Sequence, residues 1–201
     1  MKNMKSNIFQ FQNYTPKLIG EDQFFKASVC IALIETDDDY DILFEVRSSQ
    51  IPDQPGDVCL PGGAVEAGES YEEAAIRETC EELLMKPEQI RIIGPSDIMH
   101  VRNTMIYPYV GILSGYKGTF SRSEVAEVFR VPLQFFQETI PAKYPVEALA
   151  KPSEDFPFEL IQGGRNYKWR IMKTDELFYQ YEGHVIWGLT ARIINSFCKL
   201  L

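Results

Sequence analysis

GGAVEAGESYEEAAIRETCEELLM, Gly62 to Met85, sets seven glutamates against one arginine and no lysine within 24 residues. Ser70 followed by Glu73 matches a capping box, so a helix starts there, and acids in its first turn favour the positive end of the helix dipole. That accounts for Glu72 and Glu73 without any chemistry. The pattern predicts a helix over 70–84, stopped near Pro87, with Ile76, Cys80 and Leu83 forming an apolar stripe at i, i+4 and i+7. Glu78, Glu81 and Glu82 recur at i, i+3 and i+4 on a face roughly opposite that stripe. Carboxylates about 5 Å apart repel by about 3 kcal/mol per pair at an effective dielectric near 20, less when hydrated. An ordinary solvated helix intersperses lysines; a divalent cation relieves the same repulsion through the hard oxygen ligands that magnesium or manganese prefers. Gly62 and Gly63, just upstream, permit a close approach of backbone to a metal or phosphate, or simply a tight turn.

Around this segment the chain reads as mixed α/β. KASVCIALIE (26–35) and YDILFEVRSS (40–49) suit a hairpin across the acidic turn Asp37 to Asp39, whose carboxylates are expected to be solvated. IRIIG and MIYPYVGILSGY suit further strands, and SEVAEVFRVPLQFF mixes strand and short-helix signals. Residues 137–182 are punctuated by Pro141, Pro145, Pro152 and Pro157; FPFELI and YKWRIM could pair across QGGRN. VIWGLTARIINSFCKLL carries helical spacing to the end. The expected organisation is one domain over 1–201, with an N-terminal extension (1–24), an insertion (137–182) and a C-terminal helix (185–201).

Composition narrows the classes of function. A content of 45% hydrophobic and 24% charged residues indicates a globular chain. A net charge of −9 argues against a nucleic-acid backbone as partner and suits metal cations. No run reaches the roughly 18 apolar residues of a bilayer span and the N-terminus lacks an apolar signal core, so no membrane partner and a cytoplasmic location are expected. Cys30, Cys59, Cys80 and Cys198 form no CxxC pair and read as small buried hydrophobes. With only His100 and His184, a histidine-rich zinc centre is excluded.

The segment resembles the Nudix box, G-x5-E-x7-R-E-U-x-E-E-x-G-U with U bulky and apolar. Gly63, Glu69, Arg77, Glu78, Glu81, Glu82 and Met85 fall in register, whereas Thr79 occupies an apolar position and Leu84 the usual glycine. The resemblance implies an α/β/α sandwich around a mixed sheet that cleaves a diphosphate using Mg2+ or Mn2+. By matching position, Glu78, Glu81, Glu82 and the Gly62 carbonyl would be metal ligands, Arg77 would orient them and Glu69 would support the loop. The base that takes the proton from water would be Glu81, with Glu124 second; Glu127 is read as solvated.

A longer likeness covers LFEVRSSQIPDQPGDVCLPGG (43–63), which resembles the L-L-T-x-R-S-x3-R-x3-G-x3-F-P-G-G pattern of the coenzyme A diphosphatase branch. Leu43, Arg47, Ser48, Gly56, Pro61, Gly62 and Gly63 match; Glu45, Pro52 and Leu60 depart, and Pro52 stands where an arginine could have met a phosphate. Arg47 is the substrate-binding candidate, as a guanidinium forks onto phosphate oxygens. Phe44, Tyr107, Tyr109 and Trp169 read as core before they read as adenine stackers. The implied substrate is a small-molecule nucleoside diphosphate derivative, coenzyme A or an acyl derivative first, with ADP-ribose, a nucleotide sugar or a dinucleotide as alternatives. A nucleotide-sensing module without activity is the reading of a different class, and it is weakened by retention of all three box glutamates. A homodimer is left open.

Overall fold

The computed structural model describes residues 14–16 and 18–201, so most of the 1–24 extension lies outside the described residues. The first two strands, β1 (Phe25–Glu35) and β2 (Tyr40–Arg47), pair antiparallel with Leu33 opposite Ile42 and Glu35 opposite Tyr40. Between them the Thr36 hydroxyl accepts from the Asp39 N–H at 3.0 Å and donates to its carbonyl at 2.8 Å, which leaves the aspartates at an exposed turn as the sequence implied.

The chain continues through β3 (Val58–Cys59), β4 (Gly62–Ala64), α1 (Tyr71–Leu83), β5 (Ile90–Pro95), β6 (Met99–Val101), β7 (Thr104–Leu113), β8 (Val125–Pro132) and α2 (Leu133–Glu138). It closes with β9 (Ala142–Ala148), β10 (Met172–Tyr181), β11 (His184–Trp187) and α3 (Gly188–Cys198). The principal sheet runs β3-β2-β1-β7-β5, with β4 also on β1, β6 on β7 and β8 on β2. β1 and β7 are parallel while the other pairings are antiparallel, so the sheet is mixed.

The unbroken apolar run of β1 is explained by burial on both faces. Cys30, Ala32 and Ile34 pack with Leu43, Leu83 and Met85 beneath α1. Ile31 and Leu33 pack on the opposite face with Ile42, Phe44, Phe136, Ile193, Ile194 and Phe197, under α2 and α3. Each fully buried aliphatic or phenyl side chain contributes about 1.5–3 kcal/mol. The result is the expected α/β/α layering. Alternation along β2 then decides the site: Leu43 faces α1, and so do Glu45 and Arg47, two and four positions on.

Three boundaries depart from expectation. The helix ends at Leu83 with Leu84 as its left-handed cap (φ 53°), and Pro87 opens a separate 3-10 turn, Pro87–Gln89, so the proline does not supply the stop. The hairpin within 137–182 is not FPFELI against YKWRIM, since Phe158–Leu160 and Gly164–Asn166 are 3-10 turns. Instead β9 pairs with β10, and β10 with β11, in a second antiparallel sheet. The C-terminal helix begins at Gly188 rather than 185, because His184–Trp187 is spent on β11. Among the described residues no helix is long and apolar enough to cross a membrane.

Candidate active site

The site starts from the ends of α1. At its N-terminus the Ser70 hydroxyl accepts from the Glu73 N–H at 3.2 Å, and the Glu73 carboxylate accepts from the Ser70 N–H at 2.8 Å. At its C-terminus, where four carbonyls lack partners within a helix, the 114–124 loop supplies donors. Thr119 Oγ1 donates to the Leu83 carbonyl at 2.7 Å and the Ser121 N–H to the Glu82 carbonyl at 2.7 Å. These bonds hang the loop carrying Glu124 against the carboxylate end of the helix. Thr79, at a position the motif keeps apolar, is buried and donates its hydroxyl to the Ala75 carbonyl at 2.7 Å, so it is tolerated there.

The glycine pair is dictated by crowding. A Cβ on Gly62 would collide with the Ser28 carbonyl and the Val29 backbone of β1, and its φ of 150° disfavours a side chain in any case. A Cβ on Gly63 would lie 2.5 Å from Glu78 Oε1. Glycines here let β4 press against both β1 and the glutamates of α1, and the Gly62 N–H donates to Glu82 Oε2 at 2.8 Å.

Arg77 gathers the outer acids. Its Nη2 and Nε donate to the two oxygens of Glu69 at 2.8 and 3.2 Å, and its Nη2 also reaches the Ala64 carbonyl at 2.9 Å. Nη1 donates to Glu78 Oε1 at 3.0 Å and to Glu81 Oε2 at 3.3 Å. The Arg77 guanidinium holds the Glu69 carboxyl below the usual range, and Glu69 in return raises Arg77. Glu81 is the outermost of the three box glutamates, with a side chain 56% exposed.

Glu82 corrects the sequence reading. Helical spacing set it on a face away from the core, yet it is 8% exposed, covered by β4 and the 119–121 loop. Burial pushes its carboxyl up to about 8, reinforced by Glu78 and Glu124 and opposed by the Gly62 N–H and Arg47. Burial likewise raises Glu78, against the pull of Arg77. A further acid, which the sequence reading did not weigh as functional, lies beneath them. Glu45 on β2 is 1% exposed and is pushed well above the carboxylate range by burial and by the neighbouring Glu82 and Glu124. Among the described residues its Oε1 has no hydrogen-bond partner. The available signal was an acid inside the apolar strand YDILFEVR.

Glu124, exposed in the turn just before β8, acts electrostatically on Glu45, Glu78 and Glu82, and its carbonyl accepts from the Ser48 N–H at 2.8 Å. Arg47 sits at the end of β2 with Nε donating to the Asp53 carbonyl at 3.0 Å, close enough to Glu45 and Glu82 to favour their ionised forms. Beside them opens a cleft of about 440 Å3 lined by Ser48, Gln50, Phe120, Arg122, Val125 and Ala126. Of the aromatic residues considered earlier, Phe44 is core, Tyr107 stacks on Tyr71 at 3.5 Å, and Trp169 packs against Phe156 and Tyr167 far along the chain from the box. The four cysteines are free thiols, of which only Cys30 is fully buried; the others are half-buried.

Among the described residues no three acids, histidines or cysteines stand in a ready-made ligating arrangement, since Arg77 spans Glu78 and Glu81 while Gly62 occupies one oxygen of Glu82. The donor set nevertheless fits a hard divalent cation: it is made of carboxylate oxygens, crowded, partly desolvated, and includes one buried oxygen without a partner.

A mixed sheet flanked by helices, with a glycine pair pressed against a carboxylate-bearing helix, is an α/β/α sandwich with its acids gathered at one end of α1. The NUDIX domain family model matches residues 25–149, and the chain belongs to the Nudix family of hydrolases. It is 32% identical over 177 residues to an uncharacterized Nudix hydrolase, NudL, of Enterobacter sp. (strain 638), covering 85% of this chain and 80% of that protein. It is 30% identical over 134 residues to the peroxisomal coenzyme A diphosphatase NUDT7 of Mus musculus, covering 65% of this chain and 56% of the relative. Among solved structures, the Nudix hydrolase RenU from M. smegmatis aligns with a TM-score of 0.48 at 19% identity, over 55% of this chain and 72% of that one.

Proposed function

We propose that this chain is a Mg2+- or Mn2+-dependent diphosphatase that splits coenzyme A or an acyl-coenzyme A into 3′,5′-ADP and the corresponding phosphopantetheine. The observation that carries the reading is the convergence of Glu78 and Glu82 on the Gly62–Gly63 backbone, with Arg47 within electrostatic reach of Glu82 and its chain neighbour Ser48 lining a cleft. The likeness of residues 43–63 to the coenzyme A diphosphatase pattern, together with the similarity to the mouse coenzyme A diphosphatase, supports the substrate.

In this reading Glu78, Glu81 and Glu82, with the Gly62 carbonyl, hold the divalent cation. When bound it would neutralise diphosphate oxygens and make a water nucleophilic near neutral pH. Arg47 forks onto a phosphate and fixes the diphosphate over the helix. Arg77, anchored by Glu69, keeps Glu78 and Glu81 from splaying. Glu124 takes the proton of the attacking water: it lies within electrostatic reach of Glu45, Glu78 and Glu82, whereas Glu81 is taken up as a ligand. The partner is thus a small nucleoside diphosphate derivative, and the enzyme would work in the cytoplasm.

The test is a panel of coenzyme A, acetyl-coenzyme A, ADP-ribose, a nucleotide sugar and a dinucleotide, with Mg2+, Mn2+ or chelator, and products identified by mass. Metal-dependent release of 3′,5′-ADP from the coenzyme A substrates in preference to the others is expected. Preferential cleavage of ADP-ribose, or turnover undiminished by chelator, overturns the proposal.

A further inference from the structure

Glu45 has no part in the box motif, and it stands where the matching branch pattern carries threonine. Two physical facts make it unusual. A carboxyl on a central strand, 1% exposed, is costly to bury unless something satisfies it. Among the described residues nothing does so for Oε1. The nearest cation, Arg47, favours the ionised form only through space, its Nε donating to the Asp53 carbonyl. Its carboxyl hydrogen-bonds that of Glu82, a contact that needs a proton between two acids, while the charges of Glu82 and Glu124 disfavour its ionised form and Oε1 stays unpartnered. Strand alternation nonetheless points it to the α1 face, at the floor beneath Glu82, rather than into the apolar layer that holds Phe44.

A buried acid ringed by acids, with an unsatisfied oxygen, is what a polyvalent cation would stabilise. Resting on the reading above that a divalent metal binds at this helix, we infer that Glu45 is an additional ligand of that cation, binding it from the sheet side opposite the box glutamates. This makes the site a cage shared between β2 and α1 rather than a feature of the helix alone. It also accounts for an acid where the related pattern keeps a neutral hydroxyl.

The test is Mn2+ binding to the full chain without substrate, followed by the electron paramagnetic resonance signal of free Mn2+, for wild type, Glu45→Gln and Glu127→Gln at low salt and about 1 M KCl. Glu45→Gln keeps shape and removes the charge. It should bind Mn2+ at least about tenfold more weakly at both salt concentrations, as expected for loss of a ligating or ligand-supporting group. Glu127→Gln removes an equal charge from β8 outside the cluster and should leave affinity within about twofold. At about 1 M salt the screening length is about 3 Å, so a through-space charge effect fades while a lost ligand does not. Unchanged affinity in Glu45→Gln, or a loss that disappears at high salt, overturns this inference alone. Absence of Mn2+ binding by wild type overturns the metal reading with it. Circular dichroism and melting of Glu45→Gln separate these outcomes from misfolding, because relief of a buried acid should leave the fold intact and its Tm equal or higher.

Discussion

Replacing Glu82 with glutamine should stabilise the metal-free protein while abolishing its chemistry. The carboxyl is buried among Glu45, Glu78 and Glu124, and its pKa stands at about 8 against an ordinary 4.5. A group whose folded pKa is raised carries no penalty below about pH 4.5, and its cost grows as pH climbs towards about 8. At pH 7, about 2.5 pH units above the ordinary value, the cost is on the order of 3 kcal/mol at about 1.4 kcal/mol per unit. Glutamine escapes that cost and can still accept from the Gly62 N–H through its amide oxygen, but loses about 1 kcal/mol of charge assistance in that bond. The net gain is about 2 kcal/mol, or about 4–8 °C in Tm for a chain of this size. Thermal melts in chelator at pH 5 and pH 7 check it: the variant should exceed wild type at pH 7 and nearly coincide with it at pH 5. Added Mg2+ should raise the wild-type Tm more than that of the variant, and turnover should fall by orders of magnitude. A variant less stable at pH 7, or equally stabilised at both pH values, refutes the argument that an uncompensated buried carboxylate lies beneath the site.

Two other substitutions probe the local geometry. Leu84 holds a left-handed conformation and is 61% exposed, so Leu84→Gly should gain about 1 kcal/mol and raise Tm by about 2–4 °C in a melting experiment, with kcat unchanged. Gly63→Ala drives a methyl group into the Glu78 carboxylate, and it should lower kcat by at least about tenfold with a Tm loss of only a few degrees, read from steady-state kinetics beside a melt.

The parts of the molecule written in short-range chemistry were legible in the sequence. Ser70 and Glu73 announced the helix start, the Asp37–Asp39 turn its hairpin, and the run from Lys26 to Glu35 a strand of that hairpin, although its burial on both faces shows only in the fold. What escaped depended on which distant segment covers which side chain. Helical spacing placed Glu82 beside Glu78 but said nothing of β4 and the 119–121 loop that close over it. Glu45 passed as a mismatch to a pattern because its meaning appears only when β2 lies under α1. Leu84 ends the helix against its own steric preference, so the stop was assigned to Pro87 instead. The β9 strand is exposed along its whole length and contains Pro145, which leaves no alternation to detect, and its partner β10 follows only after residues 149–171.

The measurement that bears most directly on the central claim is anomalous diffraction from a crystal of the protein soaked in Mn2+. The account predicts a manganese peak about 2.1 Å from carboxylate oxygens of both Glu78 and Glu82, with Glu45 facing it from the strand below. Manganese bound only at exposed acids such as Asp37 to Asp39, with the Glu78–Glu82 cluster empty at saturating Mn2+, would contradict it.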